Sequence, residues 1–158
     1  MLSVLPDVVD ALVALWDSAL AGEPVDVSDG HLVTDSANDF LLVGVEDPRQ
    51  ADPTTSASFT TEWTAYGGGP GMGTTRTESG DITCVLYRLN GNNDQAAVRR
   101  AAFDNLDLLW DAVRPDASLG VTGLQWVRPG ASVALWQAQT DYGAEAAVVF
   151  TVNYYAYH

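Results

Sequence analysis

The sequence of 158 residues contains no lysine, one cysteine and two histidines. A single cysteine cannot form an intrachain disulfide, which excludes a small disulfide-stapled scaffold and fits a reducing compartment. Cys84 and the two distant histidines, His31 and His158, are too few for a standard zinc site. The acidic residues near the N-terminus lack the spacing of a calcium-binding loop. We therefore expect a fold that needs no metal ion and no other cofactor.

Basic side chains are also scarce. The chain has seven arginines and 21 acidic residues, which gives a formal net charge of −14. Such a surface repels the phosphates of nucleic acids and disfavours anionic membranes. Strong acidity also serves solubility, and composition alone leaves both interpretations open. The apolar N-terminal run has no basic region before it and is interrupted by Asp7, Asp10 and Asp17, which predicts neither a signal peptide nor a membrane span.

Signals for catalysis are weak throughout the sequence. His31 lies near Asp29 and Asp35, but a chain so rich in acids provides such a combination by chance, and we assign no triad to it. Cys84 shares the apolar face of its predicted strand with Ile82 and Leu86, which favours a small buried core residue over a nucleophile. The glycine run at 67–73 has neither the lysine nor the following helix of a phosphate-binding loop. We therefore predict that the protein is not an enzyme.

Hydrophobic residues make up 47% of the chain, with five tryptophans spread along it, which predicts one folded domain over residues 1–158. Apolar residues at helical spacing predict helices over 4–21 and 94–114, the second with a capping box formed by Asn92 and Gln95. Alternating or continuous apolar runs predict strands, and the predicted strands cover residues 25–33, 40–45, 59–65, 81–89, 120–127, 131–140 and 145–157. This order favours an α+β fold, a mostly antiparallel sheet with two helices packed on one face.

Three strand patterns lead to more specific expectations. The run FLLVGV at 40–45 is continuous and predicts a strand covered on both faces. The segment 59–65 alternates and predicts a half-buried strand, joined through the glycine run to the strand at 81–89 as a long hairpin. We place turns at 128–130 and 141–143, where proline, glycine and aspartate cluster.

Two segments are candidate interfaces. The glycine-rich tip is either a mobile hairpin end or a segment that orders against a neighbouring subunit. The aromatic C-terminal strand belongs either to the core or to a contact with a partner, and tyrosine is favoured at such contacts. The candidate interface residues are Gly67, Gly68, Gly69, Pro70, Met72, Arg76, Tyr155 and Tyr157.

As an ordered set, the segments VVDALVALW, FLLVGVEDP, ESGDITCVLYRLNGNND, AAVRRAAFDNLDLLWDAVRPD and AAVVFTVNYYAY resemble the tail terminator, or tail-completion, proteins of long-tailed phages that infect actinobacteria. The resemblance covers nearly the whole chain. The long glycine loop departs from the looser family. The family has no catalytic residues to transfer.

The resemblance implies a virion subunit that closes into a homo-oligomeric ring, usually a hexamer, at the head-proximal end of the tail tube. Such a ring stops tube polymerisation, contacts the tail-tube protein and the head connector protein, and lets DNA pass without specific binding. The expected location is the virion tail, assembled in the host cytoplasm. Two other functions stay open: a different head-tail connector or tail-tube protein, and a non-enzymatic ligand-binding module that uses exposed aromatic rings.

Overall fold

The computed structural model describes residues 3–31, 39–46, 56–65 and 74–158. Within these ranges the chain forms two helices and one six-stranded sheet, which confirms the α+β prediction. The elements in chain order are α1 (Leu5–Ala19), β1 (Asp26–Asp29), β2 (Phe40–Val43), β3 (Ala57–Ala65), β4 (Thr74–Asn90), α2 (Gln95–Val113), β5 (Leu124–Thr140) and β6 (Gly143–Tyr157).

The sheet is built around the long pair β4 and β6. Its strand order is β1-β2-β4-β6-β5, and β3 pairs with the first half of β4 while β2 pairs with the second half. Strands β1 and β2 are parallel to each other, and every other pair is antiparallel. The predicted hairpin is confirmed, because β3 and β4 pair from Ala65 and Thr74 onward.

Both helices pack on one face of the sheet, here called the helix face. Helix α1 buries Val8, Leu12 and Trp16 at helical spacing. The apolar stripe of α2 is buried at Val98, Ala102, Leu106, Leu109 and Val113, and half-buried at Ala101 and Trp110. The Trp16 ring lies edge-on to the rings of Trp110 and Phe150, and its indole nitrogen donates a hydrogen bond to the Leu109 carbonyl at 3.2 Å. Burying large rings with their polar atoms satisfied stabilises the joint between helices and sheet.

The opposite face of the sheet, here called the outer face, carries a second, smaller buried cluster. Leu42 and Val45 pack there with Val85 and Ala147, and Phe40 stacks on Tyr87 nearby. Strand β2 is therefore buried on both faces, as its continuous apolar run predicts.

The structure corrects four details of the sequence analysis. The cap of α2 is Asp94, whose carboxylate accepts from the Ala97 amide at 3.0 Å, and not the predicted Asn92 with Gln95. The Gln95 side chain instead donates to the Ala138 carbonyl. Asp94 directly precedes the first residue of the helix, which places its carboxylate within reach of the Ala97 amide, and its charge also favours the helix dipole.

The other corrections concern strands. Residues 124–140 form one strand, so the predicted turn at 128–130 is wrong: Arg128 and Pro129 pair with β6, and the register shifts between Pro129 and Val133. Strand β4 begins at Thr74, seven residues earlier than predicted, and the described side chains of β3 are mostly exposed where a half-buried strand was predicted. The predicted turn at 141–143 is confirmed, since Thr140 pairs with Gly143.

Two glycines in the sheet are required by close contacts. A Cβ on Gly143, whose φ is +126°, would lie 2.1 Å from the Asn90 carbonyl oxygen, so the β5–β6 hairpin can close only on glycine. Gly80 lies beneath the Tyr154 ring, and a Cβ there would lie 2.6 Å from that ring. Tyr154 thus fills on the helix face the space that Gly80 leaves.

Candidate functional site

A buried carboxylate lies on the helix face near the start of β4. Glu78 has no exposed surface, and its oxygens accept hydrogen bonds from Ser3 Oγ at 2.6 Å, Tyr154 Oη at 2.8 Å and His158 Nε2 at 3.1 Å. Burial by itself raises the pKa of this carboxyl, but the three donors and the nearby imidazole outweigh burial and lower the pKa below its usual value. Burial and the adjacent carboxylate raise the pKa of Tyr154.

This cluster has the residue types of a catalytic site but the geometry of a structural one. Ser3 and His158 bind different oxygens of Glu78, so the carboxylate stands between the hydroxyl and the imidazole. A serine nucleophile needs the imidazole as its direct hydrogen-bond partner. The cluster instead connects Ser3, two residues before α1, with strands β4 and β6 and with His158 through one buried charge.

A second polar cluster lies at the other end of β4. The Arg88 guanidinium contacts Asp39 at 3.4 Å and Glu23 at 3.9 Å, and it donates to Asn105, the one buried polar side chain of α2. These contacts connect the segments before β2 and after α1 to the sheet. On the outer face Tyr87 donates to the largely buried carboxylate of Glu145. Both arrangements pair buried polar groups with each other, as folding requires.

The described residues contain neither a metal-binding cluster nor a helix that could span a membrane. Among these residues, no group of three or more His, Cys, Asp and Glu side chains is arranged to hold a metal ion. Over the same ranges, neither helix has the length and apolar character needed to cross a membrane.

The residues predicted as an interface fall into three groups. Gly67, Gly68, Gly69, Pro70 and Met72 lie outside the described residues. Arg76 is only 8% exposed, and its guanidinium lies 5.7 Å from the centre of the exposed Trp63 ring. Tyr155 and Tyr157 lie on the outer face, half-buried and 46% exposed respectively.

The two tyrosines belong to a row of four side chains on the outer face, here called the aromatic row: Arg128, Trp126, Tyr155 and Tyr157. The Arg128 guanidinium lies 4.0 Å from the centre of the Trp126 ring, which stacks on Tyr155 with centres 5.8 Å apart. Tyr155 meets Tyr157 edge-on at 5.2 Å and raises the pKa of the Tyr157 hydroxyl through a hydrogen bond. Trp126 and Arg128 were not among the predicted interface residues, because only the β5–β6 register brings them beside the tyrosines.

Besides the short strand β1, which pairs only with β2, two edges of the sheet are open in the described part of the chain. Strand β5 pairs only with β6, which leaves its other side unpaired. Within β5, residues 131–136 include the exposed side chains of Val133 (50%) and Trp136 (43%). Strand β3 pairs only with β4 and exposes Phe59 and Trp63. The segments 131–136 and 57–63 are here called the β5 edge and the β3 edge.

Comparison of the sequence with models of known protein families gives no match, and a search of curated proteins gives none either.

Proposed function

We propose that the protein is a structural virion subunit, a tail terminator that forms a ring at the head-proximal end of a phage tail tube. The ring would stop tube polymerisation and join the tail to the head connector protein. The observation that carries this proposal is the aromatic row, a partly exposed cluster of side-chain types that are enriched at protein contacts. The resemblance of the ordered sequence segments supports it independently.

The aromatic row suits a protein partner. Tryptophan, tyrosine and arginine dominate the energetics of protein interfaces, since they offer large rigid surfaces at low entropic cost. The Trp126 ring is already engaged by the Arg128 guanidinium and by the Tyr155 ring, which leaves less of it free for stacking on a sugar. This arrangement favours the docking of a protein over the ligand-binding alternative.

The negative charge of the chain fits a subunit of a ring through which DNA passes. A net charge of −14 per copy gives a ring that repels phosphates at short range, so that DNA would pass without specific binding. We place the protein in the virion tail, assembled in the host cytoplasm, with the tail-tube protein and the head connector protein as its partners.

The proposal is tested with purified protein and with tails. Light scattering and negative-stain electron microscopy should show a closed ring, and adding the protein to its polymerising tail-tube protein should give tubes that stop growing. The variant Trp126→Ala with Tyr155→Ala should lose the effect on tubes and keep its fold. Tyr142→Ala, which removes a ring that is 81% exposed in the β5–β6 turn, is the matched control. A protein that is monomeric at all concentrations and leaves tube growth unchanged would refute the proposal.

A further inference from the structure

Apart from the register shift between Pro129 and Val133, the β5 edge lacks the features by which sheets usually protect an open edge. Residues 131–140 contain no charged side chain, although 18% of the residues in the chain are charged. Proteins discourage edge-to-edge pairing with charged side chains, prolines or very short strands. The only proline of β5, Pro129, precedes this segment. Helix α2 reaches the second half of the segment, where Leu135 packs against the cluster that contains Val98, and where Arg99 and Gln95 donate to Gln137 and to the Ala138 carbonyl.

The β3 edge is nearly as free of charge, with Glu62 as the one ionised group among residues 57–65. Two copies that each carry −14 repel each other over most of their surfaces. They can approach closely only where charge is lowest. The β5 and β3 edges are such places, and both expose backbone groups that need hydrogen-bond partners.

The strand directions of the two edges are complementary. Strand β3 is antiparallel to β4, β4 to β6, and β6 to β5, so β3 and β5 run in opposite directions within one subunit. A second copy placed beside the first in the same orientation therefore brings its β3 alongside β5 with antiparallel direction. Antiparallel pairing is the more stable kind per residue.

Three of the four large exposed apolar side chains of the two edges lie on the same face, whereas the fourth, Trp136, pairs with Ala147 on the outer face. Val133 pairs with Phe150 on the helix face. Phe59 pairs with Gly80 and Trp63 with Arg76, both helix-face positions of β4. Joining the edges would place a β-branched side chain beside aromatic rings, a combination that stabilises strand pairs. The same contact would remove from water three of the large apolar side chains that one subunit leaves exposed.

From these observations we infer that neighbouring copies join edge to edge, with the β5 edge of one copy paired antiparallel to the β3 edge of the next, so that the sheet continues across the joint. The contact uses two different surfaces and is therefore heterologous, the kind that closes into a ring when the rotation between copies allows it. This inference deepens the proposed ring and rests on it.

Cysteine cross-linking tests this joint. Ala134 and Thr60 lie on the outer face of the two edges, opposite Val149 and Ser79 of their own subunit. The native Cys84 is buried, and burial raises the pKa of its thiol to about 12, so it stays unreactive. With a short bis-maleimide, Ala134→Cys alone and Thr60→Cys alone should stay uncross-linked, an equal mixture of the two should give covalent dimers, and the double variant should give a ladder up to the full ring.

Each outcome decides a separate point. Dimers formed by Ala134→Cys alone would show a two-fold β5–β5 contact and overturn the inference. Intact rings without cross-links in the double variant would also overturn it and leave the proposed function standing. Absence of rings in the unsubstituted protein would refute the proposed function itself. As a second measurement, Ala134→Asp should abolish ring formation at a concentration where Ala96→Asp, the same charge change on exposed α2, leaves it unchanged.

Discussion

Replacing Glu78 with glutamine should destabilise the protein by an amount that depends on pH. The carboxylate accepts three side-chain hydrogen bonds in a place with no exposed surface. Glutamine has nearly the same shape but keeps only one acceptor oxygen, and its amide nitrogen faces groups that need an acceptor. The variant therefore loses charge-assisted bonds without creating a large cavity.

The expected loss at pH 7 is about 2 kcal/mol, since a hydrogen bond to a charged group contributes about 1.5–3 kcal/mol and part of the network can rearrange. For a chain of this length, that corresponds to a decrease in melting temperature of about 4–8 °C. Because the folded protein lowers the pKa of Glu78, the stability from this group is fully present above the unfolded value of about 4.3. It is lost as the pH falls through the lower pKa of the folded state.

The measurement is urea unfolding of both proteins at a series of pH values from 7 to 3. The difference in free energy of unfolding should stay constant down to about pH 4.3 and shrink below it. Glu62→Gln, at an exposed position of β3 in the same hairpin, is the control and should show little difference at any pH. A difference for Glu78→Gln that is absent at pH 7, or that stays unchanged to pH 3, would refute this reasoning.

Three further results are expected. Gly80→Ala should cost about 1–3 kcal/mol in unfolding experiments, because its Cβ would overlap the Tyr154 ring, whereas Gly22→Ala, with open space around it, should be nearly neutral. Asp94→Ala should cost about 1 kcal/mol through loss of the α2 cap, and an unchanged melting temperature would contradict that assignment. Cys84 should react with a thiol reagent only after unfolding, since burial raises its pKa to about 12, and unfolding curves should not change with chelator or reductant.

The fold was predictable where one local pattern decided the structure. Helical spacing located α1 and α2, and the continuous apolar run of β2 indicated burial on both faces. The errors arose where distant contacts override local signals. Pro129 and Gly130 have turn chemistry, yet pairing with β6 carries the strand past them with a change of register. The alternation in β3 looks half-buried, but the helices do not cover that strand.

The candidate surfaces were predictable only in part. Side chains alternate between the two faces of a strand, which predicts that Tyr155 and Tyr157 share one face of β6. In the structure both lie on the outer face. Their neighbours on β5 could not be found without the register between the two strands. The Glu78 cluster was also beyond sequence analysis, because its donors lie 75 or more positions away along the chain.

The β4–β6 pair has a consequence for how the chain folds. Thr77 pairs with Tyr157 at one end of this ribbon and Asn90 with Ala144 at the other, with α2 and β5 lying between the two strands in sequence. The centre of the sheet therefore cannot form until the last strand has been synthesised, and closing such long loops slows folding. Until then β4 has only its hairpin partner β3 and its short neighbour β2, and one side of a 17-residue strand stays open. We expect newly made chains to be most prone to aggregation in this interval, and the local β5–β6 hairpin to dock on β4 as a preformed unit.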